Sequence, residues 1–416
     1  MPRTQDTGTG QGAATRPLVI REVCGQGKPT STDAKSDRYR RRSVSARIAA
    51  RDALAAKGMD PDRTAPAGFH LPAVCSCGCT RSMADAQIAD IETGAYISNT
   101  INCGAVWVCP VCSAKIRTRR AAQVAEVVDA AQARGYGAYL VTVTVRHQHG
   151  DDLKTMLDGL ADSWRSITAS RAWKDWRDEH GVVGYVRTLE ITYGANGFHP
   201  HYHFLLVVDH AASSVEGDDM RELVSARWTA EVARRGLRLP DDEHGVRVDA
   251  CGADFRKAGA YCSKVMSDTT NGAVMELTMG DLKSGRMGSI TPFQLLDIDD
   301  PWARAAWREY VRATKGKRSV YTSRGLREKL GIVADEMTDE ELANEEVGGE
   351  VVAVVKYSLY AQVRRESPEL IPYALQAIHK GDFWRAARIL GGVLGADDDG
   401  LIVIVDDRDM TARRVA

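Results

Sequence analysis

Four residues with metal-ligating side chains lie close together near the middle of the chain. His199, His201 and His203 alternate along a segment that ends in the apolar run Phe-Leu-Leu-Val-Val, and Glu190 precedes them. Between them lies Gly194-Ala-Asn-Gly197, whose Gly and Asn residues tolerate a positive φ. We therefore predict a β-hairpin in which Glu190 lies opposite His201 and all four side chains share one sheet face.

Imidazoles and a carboxylate on one face form a site for a divalent metal ion. The carboxylate favours a hard cation such as Mg²⁺, and the imidazoles also admit Mn²⁺. The alternative is a polar patch on a solvated sheet face, but three alternating histidines that run into a hydrophobic strand favour the metal. We assign Glu190, His201 and His203 as ligands, and His199 as a third imidazole ligand or as support for the others.

A second group of metal-ligating residues precedes the hairpin. Six cysteines lie within residues 75–112, and Cys109-Pro-Val-Cys112 has a spacing typical of structural zinc sites. Zinc needs four ligands in a tetrahedron, so we predict a site that contains Cys109 and Cys112. Four cysteines compete for the other two places: Cys75, Cys77, Cys79 and Cys103. The alternative is a set of scattered buried thiols.

A tyrosine downstream of the hairpin is the third feature that could do chemistry. In the segment Asp254–Met266, helical spacing puts Lys257, Tyr261 and Lys264 on one face. A phenol beside cations can act as a nucleophile, because a nearby positive charge favours the phenolate. The alternative is a tyrosine that packs in the core of an amphipathic helix.

The motifs and their order resemble those of the HUH endonucleases and, more narrowly, of rolling-circle replication initiators (Rep proteins) of small actinobacterial plasmids. His201-Tyr-His203 is similar to the His-hydrophobic-His motif of that superfamily. The strand Tyr139–Arg146 resembles the Leu-Thr-x-Thr motif, and Tyr261-Cys-Ser-Lys264 resembles the Tyr-x-x-Lys motif. Cysteine-rich N-terminal segments also occur in these proteins. The similarity covers residues 70–330.

The resemblance implies metal-dependent nicking of one DNA strand at a plasmid origin. Tyr261 would attack the scissile phosphorus, giving a 5′-phosphotyrosyl enzyme and a 3′-OH that primes a host polymerase, and strand joining would follow. Glu190, His201 and His203 would hold Mg²⁺ or Mn²⁺, and Lys264 would favour the phenolate or neutralise phosphate. The implied partners are origin DNA, single-stranded at the nick site, and a host helicase and DNA polymerase.

One departure from the family pattern concerns the end of replication. Related single-tyrosine initiators can carry a glutamate one helical turn before the tyrosine, which activates water. Here that position is Lys257, and Asp254 lies two turns before Tyr261. The termination chemistry is therefore not assigned.

Other protein classes share some of these motifs. Conjugative relaxases place the tyrosine before the histidine motif, and single-tyrosine transposases are shorter and lack the cysteine segment. A non-enzymatic zinc-finger DNA-binding protein, with the histidines as a second structural metal site, is the alternative from a different class. It predicts no cleavage with any metal.

Composition and length set the context for these sites. The chain has 416 residues, is 44% hydrophobic and 27% charged, and can bury a sizeable core. No apolar run is long enough to span a bilayer, and the polar N-terminus lacks the apolar core of a signal peptide. We therefore expect a cytoplasmic protein without a membrane partner, in which the nine cysteines are metal ligands or free thiols.

Charge is unevenly distributed although the net charge is only −1. Arginines crowd residues 35–51, as a solvated tail or as an arm that contacts phosphate, whereas residues 331–350 contain eight acids and no base. A helix predicted over Ser113–Arg134, capped by Ser113, has basic first turns, and Lys315–Arg327 is basic and rich in serine. The expected DNA-contacting residues are Arg117, Arg119, Arg120, Lys315, Lys317, Arg318 and Arg324.

The order of strands and helices predicts an α+β fold, and the resemblance implies that it is of the HUH or ferredoxin-like nuclease type. An antiparallel sheet would carry the metal-binding face, with the Tyr261 helix against it. We predict four parts: a disordered basic tail (1–43), a cysteine-rich zinc-binding segment (44–115), a nuclease and origin-binding domain (116–330), and an acidic linker with a C-terminal region of unknown role (331–416).

Overall fold

The computed structural model describes residues 73–92, 94–241, 244–252, 255, 258, 289–333, 336–345, 348–368, 370–391, 402–404 and 413–415; for 73, 75, 402–404 and 413–415 it describes the backbone alone. The strands are β1 (Ala86–Ile91), β2 (Gly94–Ile97), β3 (Gly137–Thr144), β4 (Val182–Gly194), β5 (Gly197–Val208), β6 (Val246–Ala250), β7 (Val320–Thr322), β8 (Glu350–Val355), β9 (Ile402–Ile404) and β10 (Arg413–Val415).

The described α-helices are α1 (Ala73–Ser76), α2 (Pro110–Gln132), α3 (Leu153–Ala169), α4 (Arg171–Glu179), α5 (Ser214–Arg234), α6 (Pro301–Thr314), α7 (Leu326–Lys329), α8 (Asp339–Asn344), α9 (Tyr357–Glu366), α10 (Leu370–His379) and α11 (Phe383–Gly391). Two short 3₁₀ helices span Arg81–Met83 and Pro292–Asp297.

The central element is a five-stranded antiparallel sheet with the strand order β6-β3-β5-β4-β7, here called the histidine sheet. The hairpin β4–β5 has the predicted register, with Glu190 opposite His201 and Thr192 opposite His199. Gly197 follows the two-residue loop with φ 82°, a conformation that L-residues with side chains rarely adopt. The turn residues therefore fix the register that brings the ligating side chains together.

Both faces of the histidine sheet are covered, because each strand alternates its side chains between two apolar clusters. On the face that carries the histidines, here called the ligand face, Leu205 and Val207 pack with Val124 and Val128 of α2. On the opposite face, Phe204 and its even-numbered neighbours pack with residues of α3, α5 and α6. The candidate ligands thus stand on a sheet that is supported from behind by three helices.

A second antiparallel sheet, the terminal sheet, joins distant parts of the chain in the order β10-β9-β8-β1-β2. Its strand β1 comes from the predicted cysteine-rich segment, and β8 comes from the predicted C-terminal region. Residues of α9, α10 and α11 cover one side of it, with Ile88, Ala353 and Leu359 among the buried side chains.

The first long helix begins earlier than the sequence pattern indicates. It starts at Pro110, with Cys109 at the N-cap, and it ends at Gln132 rather than Arg134. Proline suits the first helical position, because the missing N–H has no intrahelical acceptor there. Ser113 is therefore fully buried inside the first turn and does not cap the helix.

The predicted α+β class, with antiparallel sheets and flanking helices, is confirmed, and a cysteine cluster precedes the histidine sheet in the chain. Within the described residues, no helix combines the length and the apolar character needed to cross a bilayer.

Candidate metal centres

The first candidate centre lies on the ligand face, where β4 and β5 pair. Glu190 Oε2 is 2.7 Å from His201 Nε2 and 3.0 Å from His203 Nε2. One ligand atom from each of the three residues lies within 4.8 Å of the other two. Cross-strand pairing and alternation alone produce this convergence, because Glu190 faces His201 directly and His203 is the next residue on the same face.

A row of threonines on β3 borders the same histidines. Thr142 Oγ1 is 2.9 Å from His203 Nδ1, and Thr144 Oγ1 is 2.9 Å from His199 Nε2. The His199 ring also stacks on that of His147, with centroids 4.6 Å apart and planes inclined by 15°. His199 is therefore held beside the three-residue group by β3 and the loop that follows it.

Burial and the contacts among these side chains together set the pKa values of the groups in the centre. Burial raises the pKa of the Glu190 carboxyl, but His201 and His203 outweigh it and hold this pKa well below its usual range. Burial lowers the pKa of His203, and it lowers that of His199 to about 3. For His201, Glu190 more than offsets the effect of burial and raises the pKa. At neutral pH the centre thus offers a carboxylate and at least one neutral imidazole, the forms that bind metals.

The donor set fits a divalent cation. One carboxylate and two imidazoles suit Mn²⁺ and similar ions, and the carboxylate also accommodates Mg²⁺. Three protein ligands leave coordination positions for a substrate, as in catalytic rather than structural metal sites. The types and positions of these three side chains support metal binding at this site, and the identity of the ion stays a prediction.

The second candidate centre consists of four cysteines: Cys77, Cys103, Cys109 and Cys112. The Sγ atoms of Cys77 and Cys112 are 3.6 Å apart, as are those of Cys103 and Cys112, and those of Cys77 and Cys109 are 3.5 Å apart. A tetrahedron with Zn–S bonds of about 2.3 Å has S···S edges of about 3.8 Å, so the spacing fits zinc. Of the four cysteines that compete for the other two places, Cys77 and Cys103 are the ones that lie beside Cys109 and Cys112.

The thiols of this cluster perturb one another strongly. Hydrogen bonds from Cys103 above all, and from Cys109 and Cys112, hold the pKa of the Cys77 thiol well below its usual range. Hydrogen bonds to its neighbours, together with burial, raise the pKa of Cys109 well above its usual range. The four thiols are thus close enough to influence one another's protonation, as expected for side chains that converge on one metal ion.

The other two candidate zinc ligands stand apart from the cluster. Cys79 Sγ accepts a hydrogen bond from Arg364 of α9 at 2.7 Å, and the same guanidinium donates to the Cys77 carbonyl at 2.6 Å. Tyr360, one turn earlier, donates to the Gly78 carbonyl. Helix α9 thus binds the backbone next to Cys77, the first cysteine of the cluster in the chain. The side chain of Cys75 lies outside the described part of the chain.

Three arginines expected to contact DNA sit in the first turns of α2, and two of them are buried. Arg117 is 2% exposed, stacks over the Trp107 ring and bonds to Ser113, and burial lowers its pKa to about 10. Arg120 forms an ion pair with Asp339 at 2.8 Å. Both guanidinium groups face the interior, contrary to the expectation that they present charge to phosphate. The helix turns this basic face toward α8 and the core instead.

The remaining basic candidates are more accessible. Arg119 is partly exposed and forms an ion pair with Glu345. Lys317 is bonded to Asp158, so part of its charge is compensated. Lys315, Arg318 and Arg324 are exposed, and Arg318 lies 6.0 Å from the centre of the Tyr321 ring. These three residues carry the cations that remain open to an anionic ligand.

The predicted nucleophile Tyr261 and its neighbour Lys264 lie outside the described residues, as do Asp254 and Lys257. Two described residues of the same segment bear on it. Phe255 is buried at 1% exposure and Ala258 is partly buried, and both pack in the apolar cluster of the ligand face. Phe255 and Ala258 therefore lie on the same face of the sheet as Glu190, His201 and His203.

Sequence patterns alone do not identify Thr142, Thr144 or His147 as residues of this centre. Thr142 and Thr144 do lie in the strand that resembles the Leu-Thr-x-Thr motif, and their spacing of two places them on one sheet face. This alternation is the sequence feature that could indicate that both threonines belong to the centre. Only the register of β3 against β5 shows which histidine each threonine meets.

A five-stranded antiparallel sheet with a Glu-His-His group on one face, preceded by a four-cysteine cluster, defines an α+β protein with two candidate metal centres. Comparison with known proteins gives the family. The chain belongs to the replication protein family, whose model matches residues 95–370, well over half of its length. The resemblance to plasmid replication initiators predicted from the motifs is thereby confirmed.

The relatives are bacterial. Protein rep of Streptomyces lividans is 32% identical over 338 residues, which cover 64% of this chain and 73% of the relative. Protein rep of Lentilactobacillus hilgardii is 32% identical over 196 residues, 44% of this chain and 59% of the relative. A neomycin resistance protein of Streptomyces cyanogenus is 30% identical over 143 residues, 28% of this chain and 33% of the relative. No solved structure matches this chain significantly.

Proposed function

We propose that this replication initiator nicks one strand of plasmid origin DNA in a metal-dependent reaction and later rejoins it. The observation that carries the proposal is the convergence of Glu190, His201 and His203 on one face of the sheet, in a member of the replication protein family. The three side chains would hold Mg²⁺ or Mn²⁺. The bound cation would polarise the scissile phosphate and stabilise charge on its oxygens.

The nucleophile in this proposal is the Tyr261 hydroxyl. Its oxygen would form a bond to the scissile phosphorus while the bond from phosphorus to O3′ breaks, leaving a 5′-phosphotyrosyl protein and a free 3′-OH. The phenol has an ordinary pKa of about 10, so it must lose its proton during attack, and Lys264 would stabilise the phenolate. The packing of Phe255 and Ala258 on the ligand face supports this assignment, because both residues closely precede Tyr261 in the chain and lie on the sheet face that carries the candidate metal ligands.

Strand joining follows from the same chemistry in reverse. The phosphotyrosyl bond conserves the energy of the phosphodiester, and a 3′-OH that attacks it would restore the strand and release Tyr261. Because Lys257 stands where related initiators carry a glutamate, Asp254 is the nearest acid in that segment that could activate water to end replication.

The four-cysteine cluster would hold a structural Zn²⁺. Four thiolate ligands close the coordination shell, so this centre would not take part in the reaction. It would fix the start of α2 and the segment clamped by Arg364.

Exposed cations would guide the DNA. Lys315, Arg318 and Arg324, with a smaller share from Arg119 and Lys317, would contact the phosphates of origin DNA, which is single-stranded at the nick. The free 3′-OH would be used by a host polymerase, with a host helicase opening the duplex, in the cytoplasm.

The test uses a single-stranded oligonucleotide of the plasmid origin, labelled at its 3′ end, with Mn²⁺ and the full chain. The wild type should yield a labelled protein–DNA adduct on a denaturing gel, and a 5′-labelled oligonucleotide should yield a shortened free product. EDTA should prevent both. Tyr261→Phe removes one oxygen and should abolish adduct and product while DNA affinity persists.

Tyr202→Phe is the matched control. Tyr202 is a neighbour of the ligands in sequence, but it points to the opposite sheet face, where Arg187 lies over its ring at 4.5 Å. This variant should still form the adduct. An undiminished adduct in Tyr261→Phe, or a nucleotide found by mass spectrometry on another tyrosine, would reject the assignment of Tyr261. Failure of the wild type to cleave with any metal would favour a DNA-binding protein without catalysis.

A further inference from the structure

Thr142 and Thr144 lie on the ligand face of β3, beside the histidines of β5. In the β3–β5 register, Thr142 is opposite His203 and Thr144 is opposite His201. Both hydroxyls reach an imidazole, but each reaches a different kind of nitrogen. Thr142 bonds to Nδ1 of His203, whereas Thr144 bonds to Nε2 of His199.

The contact of Thr142 leaves the other nitrogen of His203 directed at the centre. His203 Nε2 is 3.0 Å from Glu190 Oε2, within the three-residue group. An imidazole that binds a metal through Nε2 keeps its proton on Nδ1, and a hydrogen-bond acceptor there fixes the tautomer and the ring orientation. The Thr142 hydroxyl oxygen supplies that acceptor.

The contact of Thr144 has the opposite effect on His199. Thr144 Oγ1 lies 2.9 Å from His199 Nε2 and 3.4 Å from the Val145 carbonyl oxygen. When the hydroxyl donates to that carbonyl, its oxygen accepts the Nε2 proton of His199. Nε2 is the nitrogen that the other two histidines direct at Glu190, and in His199 this nitrogen is occupied. The stack on His147 holds the ring in that orientation.

We propose that the two threonines determine which of the three histidines bind the metal, a selection here called the sorting of the histidines. Thr142 positions His203 as a ligand, and Thr144 keeps His199 out of the coordination shell. The inference rests on the proposed metal centre and deepens it, because it specifies two imidazole ligands rather than three. Neither threonine touches the metal or the substrate, so both are positioning residues.

The first experiment measures Mn²⁺ binding by calorimetry, with no DNA present. Thr142→Val keeps the branched shape but removes the hydroxyl, and affinity should fall about 10- to 100-fold. Thr142→Ser restores a hydroxyl and should recover most of it. Thr188→Val is the matched control, since Thr188 flanks His203 from β4 and its buried hydroxyl has no hydrogen-bond partner among the described residues. Equal affinity in Thr142→Val and wild type would overturn the role of Thr142.

The second experiment counts the imidazole nitrogens on bound Mn²⁺ by pulsed electron paramagnetic resonance. The wild type should show two, His199→Phe should still show two, and His201→Ala should show one. Three nitrogens in the wild type, or a loss in His199→Phe, would overturn the sorting.

The tautomers of the metal-free protein separate this inference from the proposed nicking. Nitrogen-15 resonances of the histidines should show the proton of His199 on Nε2 in the wild type, and Thr144→Val should remove that preference. This readout needs neither metal nor DNA, so it tests the sorting even if no cleavage is observed. A wild-type His199 with its proton on Nδ1 would refute the role of Thr144.

Discussion

The two candidate metal centres of this protein are built in contrasting ways. The Glu190, His201 and His203 group stands on two adjacent strands, and its three ligands leave room for a substrate. The cysteine cluster takes one ligand from beside α1, one from a loop and two from the start of α2, and its four thiols close the coordination shell. The contrast indicates which metal would act in chemistry and which would hold the chain together.

The contrast predicts that the first centre can lose its metal without unfolding. His201→Ala or His203→Ala should lower the nicking rate by at least about a thousand-fold, because metal stabilisation of the phosphate is lost. The thermal midpoint should stay within a few degrees of the wild type, since the sheet is supported by packing on both faces. Nicking assays and calorimetry measure the two quantities. Near wild-type nicking in both variants would contradict the assignment.

The second centre should behave in the opposite way. Cys109→Ser should lower zinc content and reduce the free energy of unfolding by several kcal/mol, because structural zinc binding is linked to folding. Cys79→Ser is the control, since Cys79 bonds to Arg364 and lies outside the four-thiol group, so zinc should remain. Elemental analysis and thermal unfolding report the result, and a freshly reduced wild type without zinc would refute it.

A subtler variant tests the carboxylate alone. Glu190→Gln keeps the size of the side chain but removes its charge and replaces one oxygen with an NH₂ group, so Mn²⁺ affinity should fall about tenfold or more. Saturating Mn²⁺ should restore part of the nicking rate, because the imidazoles remain. Titration of the rate with Mn²⁺ measures the shift, and an unchanged half-saturation concentration would argue against Glu190 as a ligand.

The smallest expected effect is the shift of the thermal midpoint when the ion of the three-residue centre alone is removed. Gel filtration into metal-free buffer should stop nicking, because three protein ligands hold an ion less tightly than a closed thiolate shell. It should leave the thermal midpoint within about one or two degrees while the zinc stays bound. Replenished Mn²⁺ should restore activity. A midpoint that falls together with activity would show that the two centres are not separable.

The hairpin register was predictable because it depends on local chemistry. A two-residue loop closed by Gly197 fixes which residues face each other, and period-two alternation then places Glu190 with His201 and His203. The resemblance to replication initiators was likewise readable, because its motifs are short and ordered along the chain. Where neighbouring residues decide the geometry, the sequence is sufficient.

The remaining features depend on contacts between distant residues. Thr142 meets His203 only through the pairing of β3 with β5, across 61 residues of chain. Arg117 reads as a free cation in the sequence, but its burial depends on how α2 is rotated against Trp107 and the core. Cys79 lies outside the cluster that contains Cys77 and bonds instead to Arg364, 285 residues away in the chain. Local patterns contain none of this information.

The pairing of β1 with β8 has a consequence for how the chain acquires its shape. During synthesis β1 can pair with β2 as soon as both have left the ribosome, but its other edge stays unpaired until β8 has been made. The ion pair between Asp85 and Lys356 at this edge joins residues that are 271 positions apart in the chain. Such long-range closure is slow, and an unpaired strand edge invites association with other chains. An mRNA truncated before the codons of β8 would therefore give a protein fragment in which one edge of β1 is unpaired. Such fragments should aggregate after their release from the ribosome, even though they contain every candidate ligand of both metal centres.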